Sequence, residues 1–388
     1  MSKSNHLAAD DFVATDPEVH MDVLQIIFHW GYMGESHVIK TSDGYLLEMH
    51  RIPYGKSGPG NGSRPVIFLQ HGLECSSSNW VTNLPWQSAA FIFADAGFDV
   101  WMGNFRGNTY SRRHVTLSTK SKEFWAFSWD EMAKYDLEAM IDRVIEITGQ
   151  EQIYYFGHSM GTLTAFAKFS SDQKFAKKIK KFFGLGPVVT VGHLTNGLLR
   201  LLAKFTTELK FLLDLIGEYE FLPNDFFMKL AAKYICGDKV SDQLICTNIL
   251  FLIAGPDTHQ LNQTRVPVYI SHTPAGTSTQ NMLHFAQMAN SDLFQAYKYL
   301  TRKQNIAKYG QSEAPLYNLE NLQVPTYLFW GKRDALADPR DVEDMIPKLK
   351  TLKGSYELAD FNHLDFIWGL NAAHDVYDKV LKIIDGKM

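Results

Sequence analysis

One serine lies in a pentapeptide that predicts a tightly constrained turn. Ser159 stands between Gly157 and Gly161 in a G-x-S-x-G pattern. The apolar run Gln152–Phe156 before it is typical of a strand, and Thr162–Ser170 after it is typical of a helix. Glycine permits the crowded backbone of a sharp strand-to-helix turn, and such a turn lifts the serine hydroxyl above the edge of a sheet. The segment therefore predicts an exposed, nucleophilic serine.

Strands and helices alternate on both sides of this turn, which is typical of a mostly parallel sheet covered on both faces. An Asp-Gly pair between the first two apolar runs predicts a hairpin and hence an antiparallel edge. The predicted strands are Val38–Lys40, Tyr45–Ile52, Pro65–Gln70, Phe98–Met102, Gln152–Phe156, Thr326–Trp330 and Ser355–Leu358. Helices are predicted near Ala89–Ala96, from a capping box at Ser128 to Gly149, and at Thr162–Ser170, Val342–Leu349 and Ala372–Ile384. The fold class is α/β.

The chain has 388 residues, more than one compact core usually contains. The alternation stops between Pro187 and Ser312, where leucine-rich helical stretches such as Leu198–Phe205 and Leu209–Ile216 occur without evident strands. Three segments follow from this pattern. Residues 1–186 and 313–388 are predicted to form the two parts of an α/β core, and residues 187–312 a helical insertion.

A serine nucleophile needs a base and an acid that orients the base. Asp334 and His363 each follow a late predicted strand, in the order serine, acid, histidine that accompanies this kind of turn. The carboxyl ends of parallel strands meet at one edge of a sheet, so both side chains are expected beside Ser159. Asp338 competes for the role of acid, but it precedes Pro339 and is more typical of a helix start.

The oxyanion that forms during acyl transfer needs two N–H donors. One is expected from the backbone of Met160, directly after the serine, and the other from Leu73 in the loop after an early strand. Gly72 permits close approach of that loop. His71 and His158 adjoin glycine-rich turns and are expected to shape the pocket rather than to act as the base.

Composition excludes several other classes of protein. Lys and Arg number 38 against 42 Asp and Glu, a net charge of −4 that gives no footprint for nucleic acid. The chain has no apolar run long enough for a transmembrane helix, and the polar N-terminus shows no signal peptide, which alone indicates a soluble cytosolic protein.

Cys75, Cys236 and Cys246 lack zinc-site spacing and allow at most one disulfide. No metal or cofactor is expected. Sequons at Asn61 and Asn262 are candidates for glycosylation.

Six segments resemble motifs of the acid lipase family of α/β hydrolases. They are Leu69–Leu73, Asp99–Thr109, Gly157–Thr162, Ser271–Ser278, Asp334–Pro339 and Asn362–Trp368. The matches occur in the family's order and cover nearly the whole chain, which makes them far more specific than the serine turn alone. The resemblance implies an α/β-hydrolase fold with Ser159 as nucleophile, Asp334 as acid and His363 as base.

The resemblance also implies that residues 187–312 form a cap with a movable lid over an apolar acyl-binding cleft. It implies a disulfide between Cys236 and Cys246 in that cap, with Cys75 as the free thiol. A disulfide requires an oxidising compartment, so a lysosomal or secreted location follows from the family and contrasts with the N-terminus. The chain departs from the family at Met160, where members usually carry Gln. The backbone N–H that serves the oxyanion hole is kept, but a polar side chain near the site is lost.

These observations predict a serine lipase that acts on triacylglycerols or cholesteryl esters at a lipid–water interface and needs no cofactor. Two alternatives stay open. A lipid carrier would keep the fold and cleft without turnover, and a short-chain esterase would share the chemistry and differ in the cleft. The sequence leaves the oligomeric state open.

Overall fold

The computed structural model describes residues 16–194, 219–221, 255–256 and 258–387. Its central sheet has nine strands. They are β1 Glu35–Lys40, β2 Tyr45–Ile52, β3 Val66–Gln70, β4 Asp99–Gly103, β5 Arg113–His114, β6 Ile153–His158, β7 Ile179–Leu185, β10 Thr326–Gly331 and β11 Leu352–Leu358. Eight of them lie in the order β1-β2-β4-β3-β6-β7-β10-β11, and β5 pairs with β2 beside this path. Neighbours along the path β4-β3-β6-β7-β10-β11 pair in parallel. Strand β2 pairs antiparallel with β1, β4 and β5. The predicted parallel sheet with an antiparallel edge is confirmed.

Helices connect the strands. In the described ranges, those of seven or more residues are α1 Val23–His29, α2 Ala89–Asp95, α3 Leu137–Thr148, α4 Met160–Ser171, α5 Val266–His272, α6 Thr279–Ser291, α7 Arg302–Tyr309, α8 Pro339–Met345 and α9 Asp378–Ile384. The Ser128 capping box is present, because Ser128 N–H donates to Glu131 and the Ser128 hydroxyl accepts from the first turn. No described helix is long and apolar enough to cross a membrane.

The two faces of the sheet have separate apolar cores. In β3, Phe68 packs into one core, whereas Ile67 and Leu69 pack into the other. Neighbouring β6 repeats the alternation, with Tyr155 on the first side and Phe156 on the second. Successive side chains of a strand point to opposite faces, so helices must cover both sides and the strands become wholly buried.

Three local features differ from the sequence-based expectation. Strand β7 was not predicted, because the adjacent lysines Lys180 and Lys181 interrupt its apolar run. A π-helical turn, Met132–Asp136, interrupts the helix expected after Ser128. A short antiparallel pair, β8 Glu220–Phe221 with β9 Thr277–Ser278, lies inside the segment expected to lack strands. The leucine-rich stretches 198–205 and 209–216 lie outside the described residues.

The π-helical turn places Asp136 against Arg106, and both side chains are buried. Arg106 Nη2 lies 2.6 Å from Asp136 Oδ1, and Arg106 Nη1 lies 2.7 Å from Asp43 Oδ2. Burial raises the pKa of Asp136 to about 6, against the opposing effect of the guanidinium. The cluster joins the loop after β4 to the helix that precedes β6.

We expect Arg106→Met to lower the free energy of unfolding by about 3–5 kcal/mol, because it leaves Asp136 buried without a cation. Urea unfolding at pH 7 measures the change. The control is Arg143→Met, which breaks an exposed pair with Glu146 and is expected to cost less than about 1 kcal/mol. Equal losses in the two variants would contradict the assignment.

Candidate active site

The strand-to-helix turn predicted from the pentapeptide is present. Ser159 lies between β6 and α4 with φ +54° and ψ −120°, a conformation that costs energy for any residue except glycine. A Cβ at position 161 would lie 2.4 Å from the carbonyl oxygen of Gln70. Glycine is therefore required where the first turn of α4 touches the end of β3, and this contact holds the serine in its strained conformation.

The structure brings Asp334 and His363 together. Nδ1 of His363 lies 2.8 Å from Oδ2 of Asp334, and the two side chains are 3 % and 0 % exposed. The other carboxylate oxygen accepts hydrogen bonds from the backbone N–H groups of Leu336 and Ala337, at 2.9 and 2.8 Å. The carboxylate is thus fixed by three donors, since Nδ1 of His363 must carry a proton to bind it.

The competing Asp338 lies elsewhere. Its side chain accepts from the backbone N–H of Arg340 and pairs with the Arg340 guanidinium, 2.8 Å away, at the start of α8. It is a helix cap, as its position before Pro339 suggests.

His363 presents its second nitrogen to the site. With the proton on Nδ1, Nε2 carries a lone pair, and this buried atom has no hydrogen-bond partner among the described residues. The end of β7 lies between His363 and the serine. The Leu185 carbonyl accepts a hydrogen bond from the Ser159 N–H at 3.0 Å, and the next residue, Gly186, lies against His363. A Cβ at Gly186 would lie 3.1 Å from His363 Nδ1 and 3.3 Å from Asp334 Oδ2.

Gly186 is a site residue that the sequence analysis missed. It has φ +48° and packs directly against the histidine and aspartate. The sequence feature that could have identified it is a glycine directly before Pro187, just beyond a strand. That strand, β7, was itself not predicted.

The loop after β3 lies against the serine on the other side. A Cβ at Gly72 would lie 2.9 Å from the Ser159 Cβ, so this position requires glycine. His71 holds the loop: its Nδ1 donates to the Gly72 carbonyl at 2.8 Å, and its Nε2 accepts from the Phe105 N–H at 3.1 Å. Burial lowers the pKa of His71 to about 4, so the imidazole stays neutral and can accept.

The two predicted oxyanion donors flank this contact. Within the described residues, neither the Leu73 nor the Met160 amide donates a hydrogen bond to another group. The Met160 side chain is 2 % exposed, and its sulfur lies 3.3 Å from Nδ2 of Asn281 on α6. Asn281, which the sequence analysis also missed, therefore contacts the residue whose amide is expected to bind the oxyanion.

Glu74 follows the oxyanion loop in a strained conformation with φ +57°. Its carbonyl accepts from the Ala275 N–H at 2.7 Å and its Oε2 from the Gly276 N–H at 3.1 Å. Burial, with a smaller contribution from the Glu220 carboxylate, raises the pKa of Glu74 well above its ordinary value. Glu220 itself pairs with Arg112 at 2.7 Å.

The other residues singled out from the sequence are the two glycosylation candidates and the three cysteines. Asn61 is exposed, and Asn262 is partly buried with its Oδ1 accepting from the Thr264 N–H at 3.2 Å. Cys236 and Cys246 lie outside the described residues. Burial raises the pKa of the free Cys75 thiol to about 12. No cluster of three His, Cys, Asp or Glu side chains suited to a metal occurs in the described parts of the chain.

A serine at a strand-to-helix turn, with an Asp–His pair at the same sheet edge, defines an α/β hydrolase. The family described as "alpha/beta hydrolase fold" matches residues 65–213, and the "partial alpha/beta-hydrolase lipase region" matches residues 23–84. A crystal structure of a lipase candidate from Sulfolobus solfataricus has a TM-score of 0.62 at 17% identity, covering 92% of this chain and 94% of its own. That likeness shows the shared fold.

Closer relatives identify the family. Lipase lipl-5 of Caenorhabditis elegans is 52% identical over 375 residues, 95% of this chain and 93% of the relative. Human gastric triacylglycerol lipase is 48% identical, and human lysosomal acid lipase/cholesteryl ester hydrolase is 46% identical. These alignments cover 95% and 96% of this chain and 92% of each human protein. The chain belongs to the acid lipase family of α/β hydrolases and is an enzyme of the lipase class.

We expect Gly186→Ala to lower kcat by roughly 10- to 100-fold with little change in KM, because the new methyl group displaces the His363 imidazole. The control is Gly149→Ala, at φ +67° with no atom within 4 Å of the added Cβ. It carries similar backbone strain without touching the site. Kinetics with p-nitrophenyl butyrate measure the difference, and equal kcat values in the two variants would overturn the prediction.

Glu74 predicts a pH dependence of stability. The folded protein holds the Glu74 proton more tightly than the unfolded chain, so this contribution is full at pH 4 and is lost as pH rises through the raised pKa. Glu74→Gln stays neutral, and its thermal midpoint should rise relative to the wild type between pH 4 and pH 8. The Glu146→Gln control changes an exposed side chain and should leave that difference flat. A flat difference for Glu74→Gln as well would contradict the assignment.

Proposed function

We propose that the protein hydrolyses carboxylic esters of neutral lipids, triacylglycerols or cholesteryl esters or both, through an acyl-enzyme on Ser159. The observation that carries the proposal is the 2.8 Å hydrogen bond between Asp334 and His363, which leaves the lone pair of His363 Nε2 unused. The substrates named for the two human relatives, triacylglycerol and cholesteryl ester, support the choice of lipid class.

In the first half-reaction the Ser159 Oγ attacks the ester carbonyl carbon while His363 Nε2 takes the hydroxyl proton. The resulting imidazolium is stabilised by the Asp334 carboxylate, which itself stays ionised. Negative charge develops on the former carbonyl oxygen, which the N–H groups of Leu73 and Met160 bind. The tetrahedral intermediate then collapses, the bond to the alkoxide oxygen breaks, and His363 gives its proton to that oxygen, so that the alcohol departs.

In the second half-reaction water replaces the alcohol. His363 Nε2 takes a proton from the water as its oxygen attacks the acyl carbon, and the same two amides bind the second oxyanion. Collapse breaks the bond to Ser159 Oγ, which recovers its proton from His363. The products are a fatty acid and the free enzyme.

The proposal includes the organisation around this site. Residues 1–186 and 313–388 form the core, and residues 187–312 form a cap and lid over an apolar acyl-binding cleft. Cys236 and Cys246 form a disulfide in that cap, and Asn61 and Asn262 carry glycans. These modifications belong to a lysosomal or secreted protein, which agrees with the gastric and lysosomal relatives.

Ser159→Ala and Asp334→Asn test the mechanism. We expect Ser159→Ala to lose all labelling by a fluorophosphonate probe, and Asp334→Asn to lower kcat roughly 10³- to 10⁴-fold, because the histidine then adopts the wrong tautomer. Both variants should keep the wild-type circular dichroism spectrum. Undiminished labelling or hydrolysis in folded Ser159→Ala would overturn the assignment of the nucleophile.

The substrate class is tested on triolein, cholesteryl oleate and p-nitrophenyl butyrate between pH 4 and pH 8. Release of oleate from either long-chain ester by the wild type, but not by Ser159→Ala, is the expected result. Binding of these lipids without release would instead identify a carrier. Turnover confined to the butyrate would identify a short-chain esterase.

A further inference from the structure

His158 is a buried histidine beside the proposed base, and the mechanism above does not use it. It is the last residue of β6 and is 2 % exposed. The centre of its ring lies 4.7 Å from that of His363, with the ring planes at 42°. Its Nε2 lies 2.9 Å from the backbone carbonyl oxygen of His363. A carbonyl only accepts hydrogen bonds, so Nε2 carries the proton and Nδ1 carries the lone pair.

The other side of the ring faces the oxyanion loop. A Cβ at Gly72 would lie 3.2 Å from Nδ1 of His158, and this buried nitrogen has no hydrogen-bond partner within the described residues. The imidazole thus lies between the loop that carries Leu73 and the loop that carries His363. It contacts both and stands directly before Ser159 in the chain.

Other hydrogen bonds of the His363 loop are local or join it to segments other than β6. Asn362 Oδ1 accepts from the Leu364 N–H at 2.9 Å, and the Asn362 N–H donates to Asp365 at 2.7 Å. These two bonds shape the loop internally. Two others reach residues 256 and 258: Asn362 Nδ2 donates to the Pro256 carbonyl at 3.2 Å, and the Thr258 hydroxyl donates to Asp365 at 2.6 Å. The bond from His158 joins residues 205 positions apart and connects the main chain of His363 to the strand that carries the nucleophile.

Resting on the proposed function, we propose that His158 is a positioning residue for the catalytic base. Its Nε2–H holds the His363 main chain, while Asp334 holds the His363 ring at Nδ1. Two fixed points on one residue restrict where the free Nε2 points, and small displacements of a catalytic group cost large factors in rate. The hydrogen bond from His158 is made to the backbone carbonyl of His363, so it does not depend on the protonation state of the His363 ring.

The charge of His158 suits this role. Burial, and in smaller part the neighbouring His363, hold the pKa of His158 well below its ordinary value, so the ring stays neutral. A cation 4.7 Å from His363 would oppose the imidazolium that forms during acyl transfer. The other titratable group that acts on His158 is His71, whose low pKa keeps it neutral as well.

Three substitutions separate positioning from packing. His158→Gln can place an amide N–H near the original Nε2, whereas His158→Asn is too short to reach the carbonyl and His158→Leu has no donor. We expect the Asn and Leu variants to lose kcat by roughly 10- to 100-fold on p-nitrophenyl butyrate with KM within about threefold. The Gln variant should recover most of kcat. The rate of fluorophosphonate labelling should fall in the same proportion as kcat.

His284→Asn is the matched control, since His284 is also buried and its Nε2 also lies 2.9 Å from a carbonyl, that of Gln295. It should lower the thermal midpoint without lowering kcat. Folded Asn and Leu variants with kcat within twofold of the wild type would overturn the proposal, as would a loss confined to KM. If those two variants do not fold, His158→Gln decides alone, because a large loss of kcat in this donor-retaining variant also overturns it.

The experiment distinguishes this inference from the proposed function. Wild-type turnover that disappears in Ser159→Ala supports the mechanism whatever His158 does. If Ser159→Ala keeps its activity, the proposed nucleophile is wrong and the positioning role fails with it.

Discussion

Close packing between the start of α4 and the end of β3 holds Ser159 at φ +54°, and the remainder of the site is arranged around that strained residue. Gly161 lies on the Gln70 carbonyl, and Gly72 lies on the serine from the opposite side. Neither position has room for a side chain. The strain at Ser159 is thus maintained by two close contacts, one with the end of the buried strand β3 and one with the loop that follows it.

The Asp–His pair depends on the same sheet edge. β7 and β10 are parallel neighbours, so the ends of these strands bring Gly186 and Asp334 together, and β11 leads into the His363 loop. Gly186 allows the imidazole to lie against the backbone, and the two amides of residues 336 and 337 fix the carboxylate. Orientation of the base therefore comes from backbone geometry as much as from side-chain chemistry.

Local sequence patterns were sufficient to predict the parts of the site that have local causes. The turn at Ser159 follows from its glycines, and the acid and base follow from loops after predicted strands. Gly186 and Asn281 were missed because their roles depend on segments far away in the chain. Strand β7 was missed because Lys180 and Lys181 interrupt an otherwise apolar run. The π-helical turn was missed because the partner of its Asp136, Arg106, lies in another loop. The family was inferred from the order of several motifs along the chain, because no single motif specifies it.

The charges around Ser159 suit the proposed reaction, which creates a transient cation and a transient anion. In that reaction the imidazolium of His363 would be bound by the Asp334 carboxylate, which already accepts two backbone N–H groups. The oxyanion would be bound by the amides of Leu73 and Met160, which have no competing acceptor among the described residues. His71 contacts the loop after β3, and His158 contacts that loop and the His363 loop. Both stay neutral through burial, so they contribute hydrogen bonds without adding charge. Because these dipoles are fixed before substrate binds, little reorganisation is needed as charge develops, which is the condition under which electrostatic stabilisation lowers the barrier most.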